Sequence, residues 1–368
     1  MKVKNLVVTI VFLLFIAVFF FLCVFHAPVA ISESERRPLA QFPKLGWNSI
    51  SSEKALKDTI DGFEDYAVDQ FPMRDSFRKL YTWYRFNVMQ LKDTNDLAIE
   101  DGYISKVEGG LDEKSLSHAI GKFSYIYETY LKENGIKPHF AVVPDKNYYF
   151  SKEHPGYISI DYDRMMETLQ AELSEMEFIA LFDYLELSDY YKTDTHWSQD
   201  KILAVRDAIA EKLGVTGFGE YTTNTLEPFY GVYHGQSALD LPADTIYYLT
   251  NDALNACTVY DYETDKTTAI YDLAMFDSED PYNIFLSGTK AMLRIDNPNA
   301  AAKRELVVFR DSFGSSLIPL LAEGYSSIYI VDIRYVASNM VGNYIDFAGK
   351  EVLFLYSTLV LNASSGLR

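Results

Sequence analysis

Residues 6–25, LVVTIVFLLFIAVFFFLCVF, run for twenty positions without a charge. At about 1.5 Å of rise per residue, a helix of that length crosses a hydrocarbon core about 30 Å thick. The rest of the chain is therefore read as a domain tethered behind a membrane segment. Lys2 and Lys4 precede the run, so the positive-inside rule predicts a cytoplasmic amino terminus and places everything after Phe25 outside. A cleaved signal peptide is the competing reading, but its apolar region is about 7 to 15 residues long and ends at a small-residue site. Here the run is longer, and Pro28 stands where a small residue is expected. The expectation is an uncleaved single-pass anchor over residues 1–25, in the cell membrane. Cys23 lies inside the run and only Cys257 outside it, so the outer part relies on no internal disulfide.

The chain of 368 residues, 48% of them hydrophobic, has ample material for a large core beyond the anchor. A formal charge of −19 opposes binding to nucleic acid and favours a neutral or small partner. Residues 26–95 read as a linker followed by amphipathic helices. HAPVAISESERRPLAQFPKLGWNS shows no period, Ser52 suits a helix cap, and Phe77, Leu80, Tyr81, Tyr84 and Val88 recur at helical spacing. That apolar stripe is expected to pack on the main domain.

Residues 96–368 read as an α/β domain. A helix in SLSHAIGKFSYIYETYLKENG precedes the apolar strand in KPHFAVVP, and a helix in DYDRMMETLQAELSEM precedes EFIALFD. Such alternation predicts a parallel sheet with helices on its faces. Ser198 is the expected cap of a helix from Gln199 to about Leu213. Residues 215–300 break the rhythm with short Tyr- and Thr-rich strands and are expected to form a β-rich insertion. The rhythm resumes with ELVVF, RDSFG, SSLIPLLAEG, SSIYIVD and KEVLFLYS.

VVFRDSFGSSL, residues 307–317, places Ser312 past the carboxyl end of a strand and ahead of a helix, where ligands collect in open α/β sheets. A serine there has an exposed hydroxyl near helix-start N–H groups. Asp311, Ser312, Ser315 and Ser316 also suit ordinary turn and cap positions, and both readings stand on this pattern alone. A nucleophilic serine needs a base, and among the six histidines His196 alone has a carboxylate placed to orient it. If residues 194–196 are extended, Asp194 and His196 share a face, so Asp194 accepts from one ring nitrogen and the other stays free. Trp197 would wall the pair from water or serve as a core wedge. As a metal half-site the pair supplies two ligands where catalytic zinc takes three, and no further ligand cluster is visible, so no metal is expected. No phosphate loop or dinucleotide fingerprint appears, and no cofactor is expected.

TDTHW at 193–197 and RDSF at 310–313 resemble the SGNH-hydrolase-like proteins of the alginate O-acetyltransferase group, and most closely the DHHW family of envelope proteins. The likeness extends to ERRPLAQFP, FEDYAVDQFPMRDSF, FYGVYHGQSA, PYNIFLSG and VDIRY, covering most of the outer chain. The resemblance implies a flavodoxin-like SGNH fold with Ser312 as nucleophile, His196 as base and Asp194 as orienting carboxylate. Two positions depart from the pattern: Arg310 stands where common SGNH esterases have glycine, and Thr195 replaces the first histidine of DHHW. Asn147, Arg310 and Arg334 are the candidates for oxyanion or substrate contacts, with a salt bridge to Asp332 as the alternative for Arg334. The implied activity is O-acetyl transfer to, or acetyl-ester hydrolysis of, a cell-envelope polysaccharide. A transferase would work beside a membrane-bound O-acyltransferase that supplies acetyl groups. The alternative from another class is a non-catalytic polysaccharide-binding or assembly protein that retains the fold.

Overall fold

The computed structural model describes residues 2–368. Eight strands form the principal sheet: β1 (His139–Val143), β2 (Glu177–Ile179), β3 (Thr258–Asp261), β4 (Lys266–Ala269), β5 (Met292–Asp296), β6 (Glu305–Arg310), β7 (Ser327–Val331) and β8 (Glu351–Ser357). Their spatial order is β4-β3-β5-β7-β6-β8-β1-β2. Neighbours along β7-β6-β8-β1-β2 run parallel, and β4, β3 and β5 extend the sheet antiparallel. The architecture is a mixed α/β sheet, mostly parallel.

The parallel strands are continuous apolar runs because both faces are covered. In β6, Leu306 and Val308 enter one core and Val307 and Phe309 the other; β8 divides Leu353 and Leu355 from Phe354 and Tyr356 in the same way. Helices α4 (Glu113–Ile126) and α6 (Tyr162–Glu172) supply Phe123, Met165 and Leu169 to one face. Helices α7 (Leu203–Leu213) and α8 (Gly314–Leu321) supply Val205, Ile209, Leu317 and Ile318 to the opposite face. Between β1 and α6 lies the short helix α5 (Lys146–Glu153), whose N-cap Asp145 follows closely on β1.

The segment expected as a β-rich insertion divides. Thr222–Phe229 and Asp244–Thr250 pair with each other in a separate two-stranded sheet, whereas β3, β4 and β5 prolong the main one. Residues 292–296 pair in full with β7, which occupies an edge that would otherwise carry unpaired backbone groups. The helix expected from Gln199 also differs: a 3₁₀ turn covers Gln199–Lys201 and α7 begins at Leu203. The Ser198 hydroxyl caps neither, donating instead to Asp200 at 2.5 Å.

The chain divides into two compact units, residues up to Thr94 with Gly235–Asp240, and Asn95–His234 with Leu241–Arg368. In the first unit, helix α1 (Lys2–Phe25) holds the one span among the described residues, Val3–Phe25, that is long and apolar enough to cross a membrane. Phe19 of that helix packs on Phe71 and Phe77. Two further helices follow, α2 (Glu53–Asp69), capped by the Ser52 hydroxyl, and α3 (Arg74–Asn87). The linker expected to be patternless is clasped to them. Arg37 makes two hydrogen bonds to Asp69 at 2.6 and 2.8 Å, Glu35 pairs with Arg74 and Arg78, and Gln70 binds both Val29 and Ala40. Leu80, Tyr81 and Tyr84 of α3 and its C-cap Val88 are exposed.

Candidate active site

Ser312 lies two residues beyond β6, in the turn that leads to α8. Asp311 fixes that turn. Its N–H donates to the Leu355 carbonyl at 3.3 Å, and its carboxylate accepts from the N–H groups of Phe313 at 3.0 Å and Ser357 at 2.7 Å. The serine is thereby tied to the end of β8. Gly314 lets the helix start close on the strand, since a Cβ there would stand 2.9 Å from that of Arg310.

Residues 192–196 bend rather than extend, which alters the expected basis of the Asp194–His196 contact. One carboxylate oxygen of Asp194 accepts from the His196 backbone N–H at 3.1 Å and sits 2.6 Å from the ring Nδ1. Its other oxygen accepts from the N–H of Val232 at 2.9 Å. A ring that donates through Nδ1 to a carboxylate presents Nε2 as an acceptor, and Nε2 lies 2.8 Å from the Ser312 hydroxyl. Asp194, His196 and Ser312 therefore form one continuous hydrogen-bonded line. Burial alone would raise the Asp194 pKa, but the charge of His196 and these hydrogen bonds hold it well below the usual carboxylate range.

The loop carrying Asp194 is built from contacts far apart in sequence. Asp244 accepts from the backbone N–H of Lys192 and Thr193 and from the Thr193 hydroxyl. The Thr193 hydroxyl in turn accepts from the Gly231 N–H at 2.9 Å. Gly231 presses so closely on the loop that a Cβ would stand 2.3 Å from that of Asp194. Trp197 is fully buried and packs edge-on to Phe313, with its indole donating to Ser316 at 2.9 Å. The Tyr282 hydroxyl donates to the same Ser316 oxygen at 2.8 Å.

Of the remaining sequence candidates, Asn147 and Arg334 donate to other partners, whereas Arg310 is satisfied only at Nη1, with Nε and Nη2 buried and unpaired among the described residues. The Asn147 amide donates to the Ile158 carbonyl at 3.1 Å, and its side chain is buried. Arg310 is fully buried and donates to the Asp311 carbonyl and the Ser315 hydroxyl; burial pushes its guanidinium down, and Asp332 offsets part of that shift. Arg334 grips both oxygens of Asp332 at 2.9 and 2.7 Å, the salt bridge weighed against a cleft role.

Residues 180–331 match the DHHW protein family. The chain is DHHW-like. A DHHW family protein from Eubacterium siraeum superposes with a TM-score of 0.58 at 22% identity, over 74% of this chain and 95% of that one. PatB1 of Bacillus cereus, solved with a sulfonyl adduct, superposes with a TM-score of 0.58 at 20% identity, over 72% of this chain and 95% of its own. At these identities the likeness establishes a shared fold. No curated protein matches the sequence.

Several residues around this DHHW-like site carry no role in the sequence reading. Tyr282 stacks on the His196 ring, and Asp244 and Gly231 shape the acid's loop. Buried Gln199 joins the Ser316 carbonyl to the Leu249 N–H. PYNIFLSG and FYGVYHGQSA include two of them as words of resemblance, and that was their only signal.

Proposed function

We propose that this DHHW-like chain is a serine-dependent O-acetyltransferase or acetylesterase, anchored in the membrane by its first helix and acting outside it on an envelope polysaccharide. The observation that carries the reading is the 2.8 Å contact between His196 Nε2 and the Ser312 hydroxyl, with Nδ1 held at 2.6 Å by Asp194. Such a line allows the imidazole to take the hydroxyl proton as the oxygen attacks a carbonyl carbon.

In this reading Ser312 Oγ attacks an acetyl ester and its proton passes to His196. Asp194 stabilises the imidazolium. Collapse of the tetrahedral adduct breaks the bond to the donor alkoxide, which leaves with the proton from His196, and acetyl-Ser312 remains. A sugar hydroxyl or water then gives its proton to His196 and attacks that ester, so transfer and hydrolysis differ only in the acceptor. The side chains of Asn147 and Arg334 donate elsewhere, as do the N–H groups of Phe313, Gly314 and Ser315 at the start of α8. Nε and Nη2 of buried Arg310 have no hydrogen-bond partner among the described residues, and of these groups they are the candidates for the oxyanion. A membrane-bound O-acyltransferase would supply acetyl groups to such a protein, in keeping with the resemblance.

The test is acetyl-ester turnover by the full chain in detergent, with intact-mass detection of acetylated Ser312. Wild type should turn over the ester and accumulate the adduct, and Ser312→Ala should do neither. Equal inertness of the two proteins on esters and acetylated glycans, with glycan binding retained, would favour a binding role instead.

A further inference from the structure

Lys146 is 2% exposed and lies at the first turn of the short helix after β1. Its ammonium donates to the carbonyls of Ile104, in the strand Tyr103–Lys106, at 2.8 Å and Lys192 at 3.3 Å, and to that of Asp194. All three acceptors are main-chain oxygens. An ammonium has three N–H groups, so the set is saturated and matched in number. The charged groups facing it are Asp194 on the loop and Asp244 at the start of the strand Asp244–Thr250; the Tyr233 ring stands 5.3 Å away.

We infer that Lys146 is the positioning residue of this site: its ammonium gathers the strand of Ile104 and the loop of Lys192 and Asp194 onto the end of β1, and so fixes the backbone from which the Asp194 carboxylate reaches His196. The inference rests on the proposed roles of Asp194, His196 and Ser312.

The adjoining Asp145 shows why this position matters. Its carboxylate accepts from the hydroxyls of Tyr162 at 3.0 Å and Thr358 at 2.8 Å, and its N–H donates to the Thr358 oxygen at 3.0 Å. Thr358 is next to Ser357, whose N–H binds Asp311 beside the serine. Asp145 and Lys146 together therefore bracket the two halves of the site. The acid reaches the nucleophile's strand through β8, and the lysine reaches the loop of the base. His196 and Ser312 lie 116 residues apart in sequence, and this dipeptide joins the elements that carry them.

The bracket depends on a proton. A neutral amine donates two hydrogen bonds, so loss of the charge withdraws the ammonium from one of the three carbonyls, of which, among the described residues, only that of Lys192 keeps a second donor, the Ile104 N–H at 2.8 Å. Burial brings the Lys146 pKa down to about 7, against the opposing pull of Asp194 and Asp244. The charged, gathering form is the one present below that value, and it is lost as pH rises through it. Turnover should therefore carry an alkaline limb that belongs to Lys146 and not to the reacting groups.

The experiment compares the full chain with Lys146→Met and Lys146→Arg, following kcat and KM on an acetyl-ester reporter from pH 5.5 to 9.5, with thermal melts as the measure of folding. A second readout, independent of turnover, is the downfield proton resonance of the His196 Nδ1–H···Asp194 bond, assigned by its absence in Asp194→Asn. Lys146→Met should lower kcat about 10- to 100-fold, as expected for a displaced catalytic group, leave KM within about threefold, remove the alkaline limb and broaden or shift the resonance. Lys146→Arg, charged throughout the range, should recover activity and carry no limb near pH 7. A folded Lys146→Met with kcat within twofold of wild type and an unshifted resonance overturns the inference. An unmoved limb in Lys146→Arg does so as well, and decides the matter should the methionine variant not fold. An inert wild type would defeat the proposed function, whereas the resonance would still report whether Lys146 positions the acid.

Discussion

The ring of Tyr282 lies flat on the imidazole of His196, with centroids 3.9 Å apart and planes 5° from parallel. One face of the imidazole is thus covered, and Phe313 approaches at 5.0 Å. The ring can tilt only by displacing a buried aromatic that is itself tied to Ser316. Tyr282→Ala should lower kcat by about 10- to 100-fold through misorientation of the base, while Tyr282→Phe, which keeps the stack, should stay within about tenfold. Steady-state turnover of an acetyl-ester reporter by the two variants checks this, and equal losses in both would point to the hydroxyl instead.

Asp194→Asn keeps the shape of the acid but removes the charge that stabilises a protonated His196. By analogy with other acid–histidine–serine lines, kcat should fall on the order of 10⁴-fold with little change in KM. The same substitution reports on stability. The folded pKa of Asp194 lies below its ordinary value, so its carboxylate stabilises the fold fully above a pH of about 4 and that share is lost as pH falls through the depressed folded value. The melting-temperature gap between wild type and Asp194→Asn should therefore hold steady from neutral pH to about 4 and close below it. A gap unchanged at lower pH would sink the assignment.

Gly231→Ala tests the close approach of two chain segments. The added methyl would meet Asp194 at 2.3 Å and the Thr193 carbonyl at 2.4 Å, so the loop must retreat. Overpacking of this kind costs about 1–3 kcal/mol, and the displaced acid should reduce turnover about 100-fold. Denaturant unfolding and ester kinetics on one preparation would show both effects, and the neighbouring Val232 N–H should lose its bond to the carboxylate.

Phe123→Ala probes the sheet face away from the reacting groups. Phe123 is fully buried with Phe140, Phe354 and Tyr356 around it at centroid distances of 5.3, 5.5 and 4.9 Å. Removing the ring should destabilise the second unit by about 3–5 kcal/mol. Turnover well below the new melting point should stay within a fewfold of wild type, which separates a packing residue from the groups around His196.

The legible parts of the sequence are those whose information is local. The runs HFAVV, ELVVF and EVLFLYS announce buried strands because both faces are apolar, and the Asp-x-His spacing brings two side chains together across a single residue. Even there the reason differs: Asp194 meets His196 in a bend that also captures the backbone N–H, not on an extended strand. Arg334 was ambiguous because its nearest acid, Asp332, lies only two residues away and satisfies it before any ligand could. Tyr282, Lys146 and Asp244 were silent. Each earns its place by a contact made across at least 48 residues of chain, and an aromatic, a lysine or an acid in a polar stretch carries no mark of such a contact. The clasp of Arg37 on Asp69 was hidden in the same way within a linker that shows no period.

The strand that lies between β6, which leads to Ser312, and β1 is β8, the last of the sheet in chain order. Until residues 351–358 are in place, β6 and β1 face each other with open edges, and Asp311 and Asp145 both lack the partners that residues Leu355, Ser357 and Thr358 provide. Asp194, His196 and Ser312 thus all precede in the chain the strand that ties their supports together. The line from Asp194 through His196 to Ser312 is therefore braced by a strand that follows it, and the supports of Asp311 and Asp145 both hang on residues 355–358.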